Sequence, residues 1–173
     1  MRAHGTKLSC GACGKTWTLS EYGEILPDDG NSKFTHIPDW YAWERDCVRQ
    51  DLLNGTYRLD IPVTIRMMVN KKAVYTVGRG RLVHSADGFE LTGFVKEDGT
   101  QTGELLYRQS PLFSYSLYAD YFWYEIGDMI CVGQKDCLYY CFPDEGCDVV
   151  AKTRLAAEEL YKLKKAEVKS RRT

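Results

Sequence analysis

Arg81-Leu-Val-His-Ser-Ala-Asp-Gly-Phe-Glu-Leu-Thr-Gly93 is the stretch that decides the fold class. Two short alternating runs, 81–85 and 89–93, flank Ala86-Asp87-Gly88, where Asp tolerates and Gly supplies the backbone angles of a tight turn. Runs of this kind recur from 57 to 142. Further strands are expected at 57–65, 74–77, 104–107, 114–118, 121–126, 128–131 and 138–142, with Glu97-Asp98-Gly99 and Ile126-Gly127-Asp128 as turns between them. Many strands at short spacing argue for an antiparallel sandwich or barrel, against a parallel sheet with crossover helices.

Two helices are expected beside this β region. In the first, 39–53, Pro38 stands at the start, Asp39 places a carboxylate near the positive end of the dipole, and Gly55 follows as a stop. Trp40, Trp43, Cys47 and Leu52 approximate an apolar stripe that must dock on something. The second helix, 153–168, has Thr153 as its expected N-cap and Leu155, Ala156, Leu160 and Leu163 as its stripe. Glu158 and Glu159 are spaced to pair with Lys162 and Lys164. Near the start of the chain, 15–19 and 24–26 flank Glu21-Tyr22-Gly23 and read as a small hairpin hanging from Cys10-Gly-Ala-Cys13-Gly14. The expected class is α+β, mainly β. It divides into a zinc-ribbon-like hairpin at 8–30, a linker and docking helix at 31–56, and a β domain with its closing amphipathic helix at 57–168.

The 173 residues carry 23 basic and 24 acidic side chains, which argues against a generic polyanion binder. That near balance is an average of two unlike parts. Residues 152–173 hold eight Lys or Arg against three Glu, a net +5, and the remainder holds 15 against 21, a net −6. With 12 Tyr, 6 Phe and 4 Trp the chain is too aromatic to be disordered. Seven cysteines, an odd number, and a polar start without a signal-like apolar run argue for a reducing, cytoplasmic setting. No apolar stretch is long enough to span a bilayer.

Cys10-x-x-Cys13-Gly14 is the sharpest local motif, since two thiolates at this spacing present half of a tetrahedral zinc site. No second such pair exists, so the other ligands would come from among His36, Cys47, Cys131, Cys137, Cys141 and Cys147. Cys137 and Cys141 lie four apart in an expected strand, roughly 13 Å, too far to chelate one ion. A redox dithiol and metal-free thiols stay open as alternatives. The four late cysteines read as small apolar core residues. His36, Asp39 and Glu44 read as a capped helix entrance more readily than as a catalytic cluster, and His84 as a strand or turn residue. Val77-Gly78-Arg79-Gly80 has no helix behind it and is not a phosphate loop, and no Gly-x-Ser-x-Gly elbow is present. The basic C-terminal helix suits an anionic membrane surface, or simply a solvated face. Nucleic acid would favour aromatics interleaved with the basic residues, and this segment has only Tyr161.

Several strings taken together resemble the region that follows the catalytic domain in bacterial lysophosphatidic acid (1-acylglycerol-3-phosphate) acyltransferases. They are Cys10-x-x-Cys13-Gly14-x-x-Trp17-x-Leu19-x-Glu21-x-Gly23, Phe34-Thr35-His36-Ile37-Pro38-Asp39-Trp40-Tyr41-x-Trp43-Glu44-Arg45, Gly55-Thr56-Tyr57-Arg58, Gly88-Phe89-x-Leu91 and Thr153-x-Leu155-Ala156-x-Glu158-Glu159-Leu160-Tyr161. The similarity runs from about 8 to 165. That family works with a His and an Asp separated by four residues. Five positions beyond His4, His36 and His84 stand Ser9, Tyr41 and Phe89, so no catalytic residue carries over. The resemblance therefore implies a non-catalytic accessory module of phospholipid biosynthesis, lacking the enzyme domain. The metal ligands expected from the cysteine motif itself are Cys10 and Cys13, holding zinc. The partners that the resemblance implies are the acyltransferase domain or another protein, and an anionic membrane surface met through the basic helix. The alternatives are an acyltransferase with an unrecognised site and a zinc-ribbon nucleic-acid binder. By strand order and texture, 57–163 is also similar to a pleckstrin-homology-like barrel, an analogy of fold that leaves function open.

Overall fold

The computed structural model describes residues 2–11, 13–30, 33–69, 73–97, 101–144 and 149–171. Among the expected features, Glu97-Asp98-Gly99 lies largely outside the described residues, and Cys147 wholly so. The chain is mainly β with two helices and two antiparallel sheets. It forms two compact units, 1–47 and 48–173, whose boundary falls inside the first helix, α1 (Ile37–Leu53).

In the first unit, β1 (Arg2–His4), β2 (Lys7–Ser9), β3 (Thr16–Leu19) and β4 (Ile25–Pro27) pair in chain order. The expected hairpin is β3–β4, in register Trp17↔Pro27 and Leu19↔Ile25, with Gly23 at φ +81 in its turn. The Asp28 carboxylate joins the strands by accepting from Thr16 Oγ1 (2.6 Å) and Lys7 Nζ (3.2 Å), which holds it below the usual carboxylate range. Trp17 stands edge-on to Trp40 at 5.3 Å, and Phe34 packs on both Trp40 and Trp43.

Helix α1 begins two residues before its expected start, because Asp39 acts as the reaching-back residue of a capping box. Its Oδ2 accepts from the His36 N–H (3.2 Å) and from Thr35 Oγ1 (2.8 Å). At the other end Gly55 adopts φ +69, and the Gly55 and Thr56 N–H groups donate to the Leu52 and Asp51 carbonyls, a Schellman stop. Of the expected stripe, Cys47 and Trp43 are exposed. The inward line runs Trp40, Glu44, Val48 and Leu52, because Glu44 accepts from the Trp40 indole N–H (3.0 Å) and so tolerates the apolar side.

The second unit is one seven-stranded sheet in the order β8-β7-β6-β5-β11-β10-β9. Its strands are β5 (Leu59–Val69), β6 (Ala73–Ser85), β7 (Gly88–Glu97), β8 (Gln101–Gln109), β9 (Ala119–Trp123), β10 (Gly127–Gln134) and β11 (Cys137–Pro143). The quoted stretch is the β6–β7 hairpin, closed at Ser85↔Gly88. Two expected strands, 74–77 and 81–85, are a single strand, and 114–118 is not a strand. Gly78 and Gly80 do not interrupt β6; they are required inside it. A Cβ on Gly78 would lie 1.9 Å from the Phe94 carbonyl oxygen, and one on Gly80 would lie 2.2 Å from that of Thr92. The end strands β8 and β9 do not pair, so the sheet is open and the expected barrel is not closed among the described residues. The sheet curls nevertheless, and the Gly133 N–H of β10 donates to Gln109 Oε1 of β8 (3.2 Å).

The main core joins Leu59, Ile61, Val63, Ile65, Leu82 and Leu91 of the sheet to Val150, Leu155 and Ala156 of helix α2 (Val150–Ser170). Burying each large side chain contributes about 1.5–3 kcal/mol. A second cluster, Trp123, Met129, Cys131, Tyr140 and Phe142, covers the opposite face of β10 and β11. Cys131 and Cys141 are buried apolar residues there and in the main core, and burial pushes the Cys131 thiol up to about 11 and that of Cys141 higher still. Cys137 is half-buried. The expected N-cap Thr153 lies within α2, where its hydroxyl donates to the Val149 carbonyl (2.7 Å).

Candidate functional site

Helix α2 buries Val150, Thr153, Leu155, Ala156, Glu158, Glu159 and Leu160 and turns Lys152, Lys162, Lys165 and Lys169 outward, while Arg154 is half-buried and donates to the Ala119 carbonyl. Two of its carboxylates are therefore held inside. Glu159 is almost fully buried and accepts from Lys162 Nζ (2.6 Å) and Arg49 (3.4 Å), and Glu158 accepts from Ser116 Oγ (3.0 Å). Of the expected helical pairings, Glu159 with Lys162 forms, while Lys164 pairs instead with Glu167 (3.3 Å). Along the last three turns Lys162, Lys165 and Lys169 are exposed, with Glu167 as the one exposed carboxylate there among the described residues.

Segment 110–118 runs antiparallel to α2. Ser116 meets Glu158, Tyr115 stands edge-on to Tyr161 at 5.5 Å, and farther along the Tyr121 hydroxyl accepts from the Ala151 N–H at the start of the helix (3.3 Å). Lysines interleave with these rings: Lys162 Nζ lies 5.9 Å from the Tyr115 centroid and Lys165 Nζ lies 5.5 Å from that of Tyr161. Such cation–ring contacts contribute about 0.5–1 kcal/mol each at exposed sites. Tyr161, the one aromatic visible in the basic segment, thus has a second ring beside it that comes from a residue 46 positions earlier.

Next to Tyr115 the chain makes a turn whose apolar side chains face outward. Leu112 is 40% exposed and Phe113 is 52% exposed. The turn is held by the Phe113 N–H donating to the Ser110 carbonyl (3.0 Å), the Leu112 N–H donating to Ser110 Oγ (3.3 Å) and Ser114 Oγ donating to the Ser116 carbonyl (2.8 Å). A second aromatic projection lies at the β9–β10 turn, where Phe122 and Tyr124 are each 79% exposed and adopt φ +48. Trp123 between them is buried, stacks on Tyr140 and donates its indole N–H to the Tyr118 hydroxyl (2.8 Å). Glu125, at φ +60, and Asp128 accompany this second projection.

The expected zinc ligands Cys10 and Cys13 sit on a tight knuckle. The Gly14 N–H donates to the Cys10 carbonyl and the Cys10 N–H donates to that of Lys15, both at 2.9 Å, and Gly14 is at φ +72. Cys10 is half-buried and Cys13 exposed. Among the described residues no three His, Cys, Asp or Glu side chains come together as a metal site. The knuckle carries two cysteines, and among the described residues His36 and Cys47 do not complete a closed tetrahedral set with it.

The histidines are placed as follows. His36 ends the Thr35–Asp39 capping arrangement, its Nδ1 lying 3.1 Å from Thr35 Oγ1. His84 faces the core in the row Leu59–His84–Phe89–Gln109, stacked on Phe89 at 3.8 Å and sharing a 3.0 Å hydrogen bond between its Nδ1 and the Tyr57 hydroxyl. Burial lowers its pKa from 6.5 to about 3, so the ring is neutral at physiological pH, and burial likewise pushes the Tyr57 hydroxyl upward. A neutral stacked imidazole with one nitrogen committed to a tyrosine serves packing. No helix among the described residues is long and apolar enough to cross a membrane. No protein family, curated protein or solved structure matches the chain.

Proposed function

We propose that this chain is a non-catalytic accessory module of bacterial phospholipid synthesis that meets an anionic membrane surface through the outward face of α2. The observation that carries the reading is the interleaving of Tyr115 and Tyr161 with Lys162 and Lys165 on a helix whose Glu158 and Glu159 are turned inward. Amphipathic rings beside lysines suit the headgroup region of a bilayer, where each basic side chain near an anionic leaflet contributes about 1 kcal/mol. The link to phospholipid synthesis rests on the resemblance to acyltransferase accessory regions. The acyltransferase domain is the natural protein partner under the same reading, and the inner face of the cytoplasmic membrane is the natural location. The curled seven-stranded sheet followed by one closing helix supports a pleckstrin-homology-like domain, and the β3–β4 hairpin behind the Cys10–Cys13 knuckle supports a zinc-ribbon-like unit.

Flotation with anionic vesicles tests the membrane reading: the full chain should float and a chain ending at Lys162 should float less. Equal flotation of the two, or none, removes it. Zinc at Cys10 and Cys13 is a separate part of the proposal. Elemental analysis of protein purified without chelator should find about one zinc per chain, lost in Cys10→Ser, in keeping with a structural thiolate site. Metal-free protein that melts as before would remove the zinc.

Nucleic acid also uses rings interleaved with lysines. The body outside the C-terminal segment carries a net −6, which opposes a polyanion that must approach along its length. A flat bilayer can be met by the basic face alone.

A further inference from the structure

The outward face of α2 accounts for electrostatic attraction, and a second feature beside it has the chemistry to enter the bilayer. Resting on the membrane reading above, we infer that the turn carrying Leu112 and Phe113 is a preformed apolar wedge that inserts among the acyl chains, while Tyr115, Tyr161 and Lys165 sit at headgroup level.

Three observations converge on this turn. Its two large apolar side chains point to solvent although the backbone around them is pinned by bonds to Ser110 and between Ser114 and Ser116. A turn fixed in this way gives up little conformational freedom on insertion. Its base is rigid as well. A Cβ on Gly88 would lie 2.1 Å from the Gln109 carbonyl oxygen and 3.0 Å from Pro111 Cδ, so the β6–β7 turn presses directly on residues 109–111. The wedge is also next to the basic end of the helix, because Tyr115, two residues beyond Phe113, contacts Tyr161 and lies beside Lys162.

The other aromatic projection fits a bilayer less well. Phe122 and Tyr124 are more exposed than Leu112 and Phe113, yet Glu125 and Asp128 share their turn and would be repelled by anionic lipid. Residues 110–118 contain no charged side chain. Charge complementarity therefore selects the 110–114 turn and selects a lipid surface as its occupant.

The test titrates the 173-residue chain with vesicles of phosphatidylglycerol and phosphatidylcholine, following the bound fraction. Leu112→Ser/Phe113→Ser should weaken partitioning by about tenfold or more, since two apolar side chains leave the hydrocarbon, and should keep the salt dependence of the parent chain. Lys164→Gln/Lys165→Gln/Lys169→Gln should weaken binding and flatten its salt dependence. Lys162 is left intact in that variant because it pairs with buried Glu159. A Phe113→Trp chain bound to vesicles with brominated acyl chains gives an independent readout: the fluorescence added by the introduced indole should be quenched. Wild-type affinity in the double Ser variant, or unquenched emission from the introduced indole in bound protein, overturns the wedge while the membrane reading stands. A parent chain that binds no anionic vesicle at low salt, or that binds single-stranded RNA and no vesicle, overturns both.

Discussion

His84 makes acid the perturbation with the most calculable consequence for this fold. The ring is 1% exposed, and burial lowers its pKa from 6.5 to about 3. Between those two values the unfolded chain binds a proton that the folded chain refuses, so stability falls as pH falls through the window. The cost is absent well above pH 6.5 and complete below about 3. Each pH unit across that window corresponds to about 1.4 kcal/mol, which gives about 2 kcal/mol lost by about pH 5 and about 5 kcal/mol at the acid limit. Urea unfolding followed by circular dichroism, at about pH 7.5 and about pH 5, measures the loss. His84→Gln is the control, since it offers Tyr57 a hydrogen-bonding group and cannot titrate, and the difference between the two proteins cancels every other ionisation. The parent should lose about 2 kcal/mol more than His84→Gln over this interval. Parallel losses in the two proteins would refute the placement of a neutral, desolvated imidazole beside Phe89 and Tyr57.

Further outcomes follow from other contacts. Gly80→Ala should cost about 3 kcal/mol or more in a urea melt because its Cβ would meet the Thr92 carbonyl oxygen at 2.2 Å, whereas Gly11→Ala, with nothing within 4 Å, should be nearly neutral. Arg49→Ala/Lys162→Ala should destabilise the chain at neutral pH by a few kcal/mol, about 3, since it removes two cations from the buried Glu159 carboxylate, and adding Glu159→Gln should recover part of that loss. A thioester-release assay with acyl-CoA and lysophosphatidate should show no turnover above background; sustained release would favour the acyltransferase alternative.

What could be read before folding depended on how local the signal was. The alternation at 81–93 placed the β6–β7 hairpin and its turn, and Gly55 placed the end of α1, because turn chemistry and a left-handed stop act within a few residues. The glycines at 78 and 80 suggested a break between two strands. Their real constraint is the backbone of β7 pressed against them, and nothing in β6 itself reveals that. Residues 114–118 alternate like a strand, yet they lie along α2 instead of pairing in the sheet, as Ser116 on Glu158 and Tyr115 beside Tyr161 show. Strands β1 and β2 carry three residues each, too few for any periodicity. Of the candidate surface, the basic face of α2 was legible from composition. The second ring beside it was not, because Tyr115 comes from a segment 46 residues away in the chain. The cysteine knuckle was legible as a knuckle, and the structure adds its hydrogen bonds without adding ligands among the described residues.

The most direct test of the central claim is the partitioning of the unmodified 173-residue chain onto anionic and neutral vesicles as salt is raised. Preferential binding to phosphatidylglycerol vesicles that weakens, without vanishing, at high salt is the predicted result, the residual affinity belonging to Leu112 and Phe113. Equal, salt-independent binding to neutral and anionic vesicles, or no binding to either at low salt, would contradict it.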